Sequence, residues 1–175
     1  VHIFILLRMI FFPYPELFIY SYLTDQGLLP YKQTIDQHFP GVMFLPVNLF
    51  SLGIDTLAEM RLLSFALIIF SDLMLAKILK RLFNKNSYVF VGLLLYVFWQ
   101  IYFEGHVLWI ESFITPLILA AFYLLMDFIK KKDYSKLYIS AFVLGLSLVL
   151  KQTVLPLVGL IYLYLIIRKV PLKNI

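Results

Sequence analysis

The chain has no cysteine, so no disulfide and no cysteine-ligated zinc or iron–sulfur site can form. Charge is scarce as well. Asp, Glu, Lys and Arg together make up 14% of the residues, where a soluble domain carries about 25%. Also missing is any run of strict apolar–polar alternation. A membrane β-barrel needs such alternation in segments of about ten residues, so that architecture is excluded.

What the chain does have is apolar bulk. Of its 175 residues, 62% are hydrophobic, and the mean hydropathy is +0.91. A small soluble domain has too much surface for its volume to bury such an excess. Apolar runs of about 20 residues read instead as membrane spans. They fall at His2–Phe12, Leu57–Leu79, Tyr88–Phe103, Ser112–Ile129, Leu137–Leu150 and Val154–Ile167. The expected fold is all-α, a polytopic transmembrane bundle of about six spans forming a single domain over 1–175. The chain starts at Val1 inside an apolar run and stops at Ile175 soon after another. Both ends read as cut, the first span as truncated, and the whole as a fragment of a longer membrane protein.

Basic residues orient the spans. Lys77, Lys80, Arg81 and Lys85 follow the second run. Lys130, Lys131, Lys132 and Lys136 follow the fourth, and Arg168, Lys169 and Lys173 follow the sixth. Two apolar runs separate each cluster from the next, so all three share one side. By the positive-inside rule that side is the cytoplasm of a plasma (inner) membrane. The net charge of +5 is therefore a loop signature and gives no reason to expect a nucleic-acid partner; membrane lipids are the expected surroundings.

The other side carries Glu16, Asp25, Asp36, Asp55, Glu59, Glu104 and Glu111. Most of this side is one outer loop, residues 13–56, ahead of five spans in 57–175. Loops of this length are uncommon and often functional. Pro15 and Glu16 suit the first turn of a helix running to about Leu23. Leu17, Tyr20 and Leu23 would lie on one face of it, as on an interfacial helix. Gly27 suits its C-terminal stop. "VMFLPVNLFSLG" reads as a second interface-lying helix. Each polar group here also has a plain role. Asp25 can close a turn, Asp36 can be a solvated acid, and Lys32 and His38 can meet lipid headgroups. Asp72, inside the second run and about a turn and a half from Lys77, reads as having a local role at the membrane interface, with a proton relay as the alternative. "EGHVLWIE" contains Glu104 and His106, a weak metal-binding pattern.

Within the loop, "PYPE", "DQGLLPY" and "IDQHFPG" occur in order, and "KQT" follows at Lys151–Thr153. This pattern resembles the GT-C glycosyltransferases, specifically the RgtA/B/C/D-like group related to aminoarabinose transferase and the protein O-mannosyltransferases. The resemblance implies a glycosyltransferase that moves a sugar from a polyprenyl-phosphate donor to a lipid, polysaccharide or protein acceptor at the outer membrane face. It maps the family's loop acid, a base or a metal or acceptor ligand, onto Glu16, with Asp25 and Asp36 as competitors. Where the family often has an Asp-Glu pair, this chain has Pro15-Glu16, and Phe39 stands where the family has the first of two prolines. Lys32, His38, Arg61 and Lys151 are the candidates to bind the donor phosphate. No particular metal ligand is assigned, although the family allows a divalent ion. The alternative is a transporter or flippase fragment, which would place its charges at the midplane and show internal repeats.

Overall fold

The computed structural model describes residues 1–33, 41, 43, 48–103, 105–168 and 170. Among these there are seven α-helices and no strand. They are α1 (His2–Arg8), α2 (Pro15–Asp25), α3 (Leu57–Phe83), α4 (Asn86–Tyr102), α5 (Ile110–Lys131), α6 (Tyr134–Leu150) and α7 (Leu155–Ile167). A 3₁₀ turn, Gln152–Val154, joins α6 to α7. Every expected span is matched by a helix, and the all-α membrane bundle is the observed fold. Only α3 and α5 are long enough to cross a bilayer unaided. The 27 residues of α3 extend about 40 Å at roughly 1.5 Å per residue.

Helix ends are set by local chemistry. Thr56 and Glu59 form a capping box: Thr56 accepts the Glu59 amide at 3.3 Å and Glu59 accepts the Thr56 amide at 3.0 Å. Asn84, at φ 51°, ends α3 in the left-handed region that asparagine tolerates. Lys80 and Arg81 lie in its last turn, where the dipole favours cations. Lys132, at φ 58°, ends α5. Asp133 then caps α6 by accepting the Ser135 amide at 3.0 Å and the Ser135 hydroxyl at 2.7 Å. The result is a tight α5–α6 hairpin. Ser140 Oγ of α6 donates to the Ala121 carbonyl of α5 at 2.8 Å. Such small polar residues let transmembrane helices approach closely.

Two apolar cores close opposite ends of the bundle. At the acidic end Leu17 of α2 is fully buried with Leu49, Met60, Leu108, Ile110, Ile114, Leu150 and Val154. At the basic end Leu125, Phe128, Leu137, Leu165 and Val170 pack together. Large apolar side chains such as Phe90, Leu95, Phe98, Leu160 and Ile167 stay exposed along the helices, as expected where lipid replaces water. The first core shows that α2 is packed onto the acidic ends of the spans and does not trail from them.

The expected second interfacial helix is not what 48–53 form. Leu52 N–H donates to Asn48 O at 3.2 Å, Gly53 N–H to Phe50 O at 2.9 Å and Ile54 N–H to Leu49 O at 2.9 Å. These are successive turns ending at Gly53, whose φ is +72°. Residues 42 and 44–47 of that expected helix lie outside the described residues. Asp72 has a partner that its place in the sequence did not name. Its carboxylate pairs with His2 Nδ1 of α1 at 2.8 Å, not with Lys77. Five residues along a helix is about 140° of rotation, whereas neighbours on a helix face are three or four residues apart.

Candidate active site

The acidic end is built on α2. Pro15 opens the helix, with Tyr14 as its extended N-cap. The Tyr14 amide donates to the Leu108 carbonyl at 3.0 Å, and the Tyr14 ring packs on Trp109, centroids 4.8 Å apart. The start of α2 is thereby pinned to the segment entering α5. Its other end closes in a Schellman motif. Gly27 N–H donates to Thr24 O at 3.0 Å and Leu28 N–H to Leu23 O at 3.1 Å. Gly27 has φ +87°, which explains the glycine at the stop read from the sequence.

A cavity of about 400 Å³ lies between α3, α4 and the start of α5, with Tyr14 in its wall. Tyr14, Tyr96, Gln100, Trp109, Glu111 and Ser112 are among the residues lining it. Aromatic walls with a few polar groups are what a sugar-sized ligand needs. Gln100 is held by its Nε2 donating to the Gly105 carbonyl at 2.9 Å. Ser112 Oγ accepts the Trp109 amide at 3.2 Å and donates to the Val107 carbonyl at 3.0 Å, fixing the first turn of α5. Glu111, in that turn, forms an ion pair with Lys151 at the end of α6.

The residues singled out from the sequence fall in different places. Glu16 is exposed in the first turn of α2, two residues from the cavity wall at Tyr14. Asp25 is tied down: its Oδ1 accepts Asn48 Nδ2 and Ser51 Oγ, each at 3.1 Å. It thereby joins the end of α2 to the turns at 48–53. Lys32 is exposed in a turn closed by Gln33 N–H donating to Leu29 O at 2.9 Å, next to Tyr31 at φ 62°. Arg61 Nη2 donates to the carbonyls of Leu6, Leu7 and Met9 at 3.2–3.4 Å. It thus satisfies the otherwise orphaned end of α1. Lys151 caps α6 at the junction with the 3₁₀ turn. Asp36, His38 and Glu104 lie outside the described residues.

The structure adds Glu111, Tyr14, Trp109 and Gln100 to the site. Glu111 was visible in the sequence only as an acid of a short outer loop. Its partner is 40 residues away, and no local pattern announces that. Gly41, the last residue of "IDQHFPG", packs on the last turn of α6. A Cβ there would come within 2.8 Å of the Val149 carbonyl and 3.1 Å of Leu150 Cδ2. Gly41 therefore sits against the helix turn that leads into "KQT". Among the described residues no three His, Asp or Glu side chains come together.

These features define a class: a multi-span helical membrane protein with an aromatic-walled cavity, carrying a few polar groups, at one end. Residues 37–175 match the family model described as dolichyl-phosphate-mannose-protein mannosyltransferase, and the chain belongs to that family. Membership makes it a membrane glycosyltransferase of the GT-C type. Comparison with curated proteins and with solved structures found no match. The matched region includes the cavity, Glu111 and Lys151, while Glu16 and α2 precede it.

Proposed function

We propose that this protein transfers a sugar from a polyprenyl-phosphate donor to a hydroxyl acceptor (lipid, polysaccharide or protein) at the outer face of the plasma membrane. The observation that carries this reading is the cavity lined by Tyr14 and Glu111, with Lys151 paired to Glu111 and Glu16 two residues along the chain from Tyr14. In this reading Glu16 takes the proton of the acceptor hydroxyl. The acceptor oxygen bonds to the anomeric carbon as the bond from that carbon to the phosphate oxygen breaks. The electron pair leaves with the polyprenyl phosphate, which gains negative charge. Lys151 meets that charge by exchanging Glu111 for the phosphate, an arrangement that stabilises the transition state more than the ground state. Lys32 and His38 approach the same headgroup from the loop. Asp25 and Arg61 serve by holding α2 and α1 in place, since Asp25 Oδ1 and Arg61 Nη2 already have protein partners. Asp36 remains the competitor of Glu16 for the proton.

The test is transfer of labelled sugar from a polyprenyl-phosphate donor in membranes containing the protein. Glu16→Gln should lower the rate by about 10²–10⁴-fold, the range for loss of a general base, with membrane insertion unchanged. Wild-type rates in both Glu16→Gln and Asp36→Asn would refute the mechanism. A protein that uses only soluble nucleotide sugars would refute the donor class.

A further inference from the structure

At the end opposite the cavity, α3 and α5 carry an arrangement that the transfer chemistry does not use. Lys77 and Arg81, one turn apart on α3, both lie over the ring of Tyr123 of α5, at 6.0 and 5.4 Å from its centroid. Arg81 pairs with Asp127, one turn beyond Tyr123. Its second terminal nitrogen, Nη1, is buried without a hydrogen-bond partner. Lys80 Nζ donates to Asn86 Oδ1 at 2.9 Å across the α3–α4 turn. Lys77, Lys80, Arg81, Asn86 and Tyr123 line an open cavity of about 520 Å³.

A basic helix end needs no cavity to satisfy the charge asymmetry of membrane proteins. Here three cations surround a concave surface, and among the described residues one carboxylate, Asp127, pairs with them. The surplus of two positive charges, and a guanidinium nitrogen still lacking an acceptor, call for an anion with several oxygens. The level along α3 is its last two turns, where a membrane helix leaves the hydrocarbon. Basic pockets between helices at that depth suit lipid headgroups. We infer that this cavity binds the phosphate of an anionic membrane phospholipid, with Lys77, Lys80 and Arg81 as its ligands and Tyr123 as its wall. The inference requires only that α3 and α5 cross a bilayer, and is independent of the donor and acceptor at the other end.

The experiment is native mass spectrometry of the full chain in detergent, with phosphatidylglycerol and phosphatidylcholine of matched acyl chains. Phosphatidylglycerol should be retained over phosphatidylcholine. Lys77→Gln/Lys80→Gln should weaken that retention by about one order of magnitude or more, since each cation near a lipid surface contributes a few-fold. Both side chains are exposed, and the Arg81–Asp127 pair is left in place. Lys130→Gln/Lys131→Gln removes the same charge at the same end but outside the cavity, and should leave retention unchanged. Equal retention of the two lipids, or equal loss in both double variants, would overturn the site. Displacement of the lipid by millimolar inorganic phosphate would make it a soluble-anion site and overturn the lipid assignment.

Discussion

Gly41→Ala tests whether the docked loop matters for catalysis. Gly41 is not in the left-handed region, so an alanine meets no backbone penalty there; the obstacle is space. The new Cβ would lie 2.8 Å from the Val149 carbonyl oxygen, 3.0 Å from Val149 Cγ1 and 3.1 Å from Leu150 Cδ2. The two side-chain carbons can turn aside, but the carbonyl is part of α6 and cannot. Ordinary contact begins at 3.4 Å, so the loop must retreat by about 0.6 Å. Overpacking of this kind costs about 1–3 kcal/mol. The functional cost should be larger than the stability cost, because Gly41 touches the turn of α6 that ends at Lys151. A displacement near 1 Å in a catalytic group can cost about 10²-fold, so a rate loss of roughly tenfold or more is expected. The control is Gly145→Ala within α6, where a Cβ meets nothing within 4 Å. That change should be neutral or stabilising by up to about 1 kcal/mol. Transfer rates per inserted protein, read beside thermal melts in detergent, decide the matter. Wild-type activity in Gly41→Ala would mean that the loop does not need its seat on α6.

Three further outcomes follow from the contacts. Lys151→Gln should lower the transfer rate about 10²-fold, as loss of one transition-state donor does, while stability changes by under about 1 kcal/mol because its partner Glu111 is 53% exposed; an unchanged rate would remove Lys151 from the site. Asp72→Leu alone should destabilise the protein by about 1–3 kcal/mol in detergent melts by leaving His2 Nδ1, on a side chain 7% exposed, without its partner, and the double variant His2→Leu/Asp72→Leu should recover most of that. The Asp133 carboxyl is held below its ordinary value of 3.8 by the Ser135 hydrogen bond. Its capping contribution is therefore complete above that value and is lost as the pH falls through the lowered pKa; hydrogen exchange at the first turn of α6 should rise on acidification in the wild type and stay level in Asp133→Asn.

Several features of this molecule are properties of short stretches of chain. The six helical runs follow from apolar length, and the separation of the acidic from the basic ends follows from where the charges sit between them. Thr56 and Glu59 are three residues apart, so the start of α3 is a local event. Gly27 stops α2 because its backbone must take φ +87°, a requirement visible in one residue type. Such choices involve neighbours along the chain, and their energies do not wait for the fold. The loop motif was also legible as a pattern, and it led to the family that residues 37–175 define.

The roles of single polar residues were decided elsewhere. Arg61 is a cap for α1 because packing brings carbonyls 52–55 residues away within its reach. Asp72 meets His2 across 70 residues, and Asp25 meets Asn48 and Ser51 across the loop. Pro40-Gly41 reads in sequence as a turn signal, yet the structural reason for Gly41 is the 2.8 Å approach of a carbonyl from α6. Composition and charge order determined by themselves that this chain is a helical membrane protein with one acidic end, since transfer to lipid is close to additive over residues. Which acid faces which cation depends on helix packing and on the seating of α2 over the bundle, and only the tertiary structure brings Glu111 to Lys151 beside an aromatic cavity.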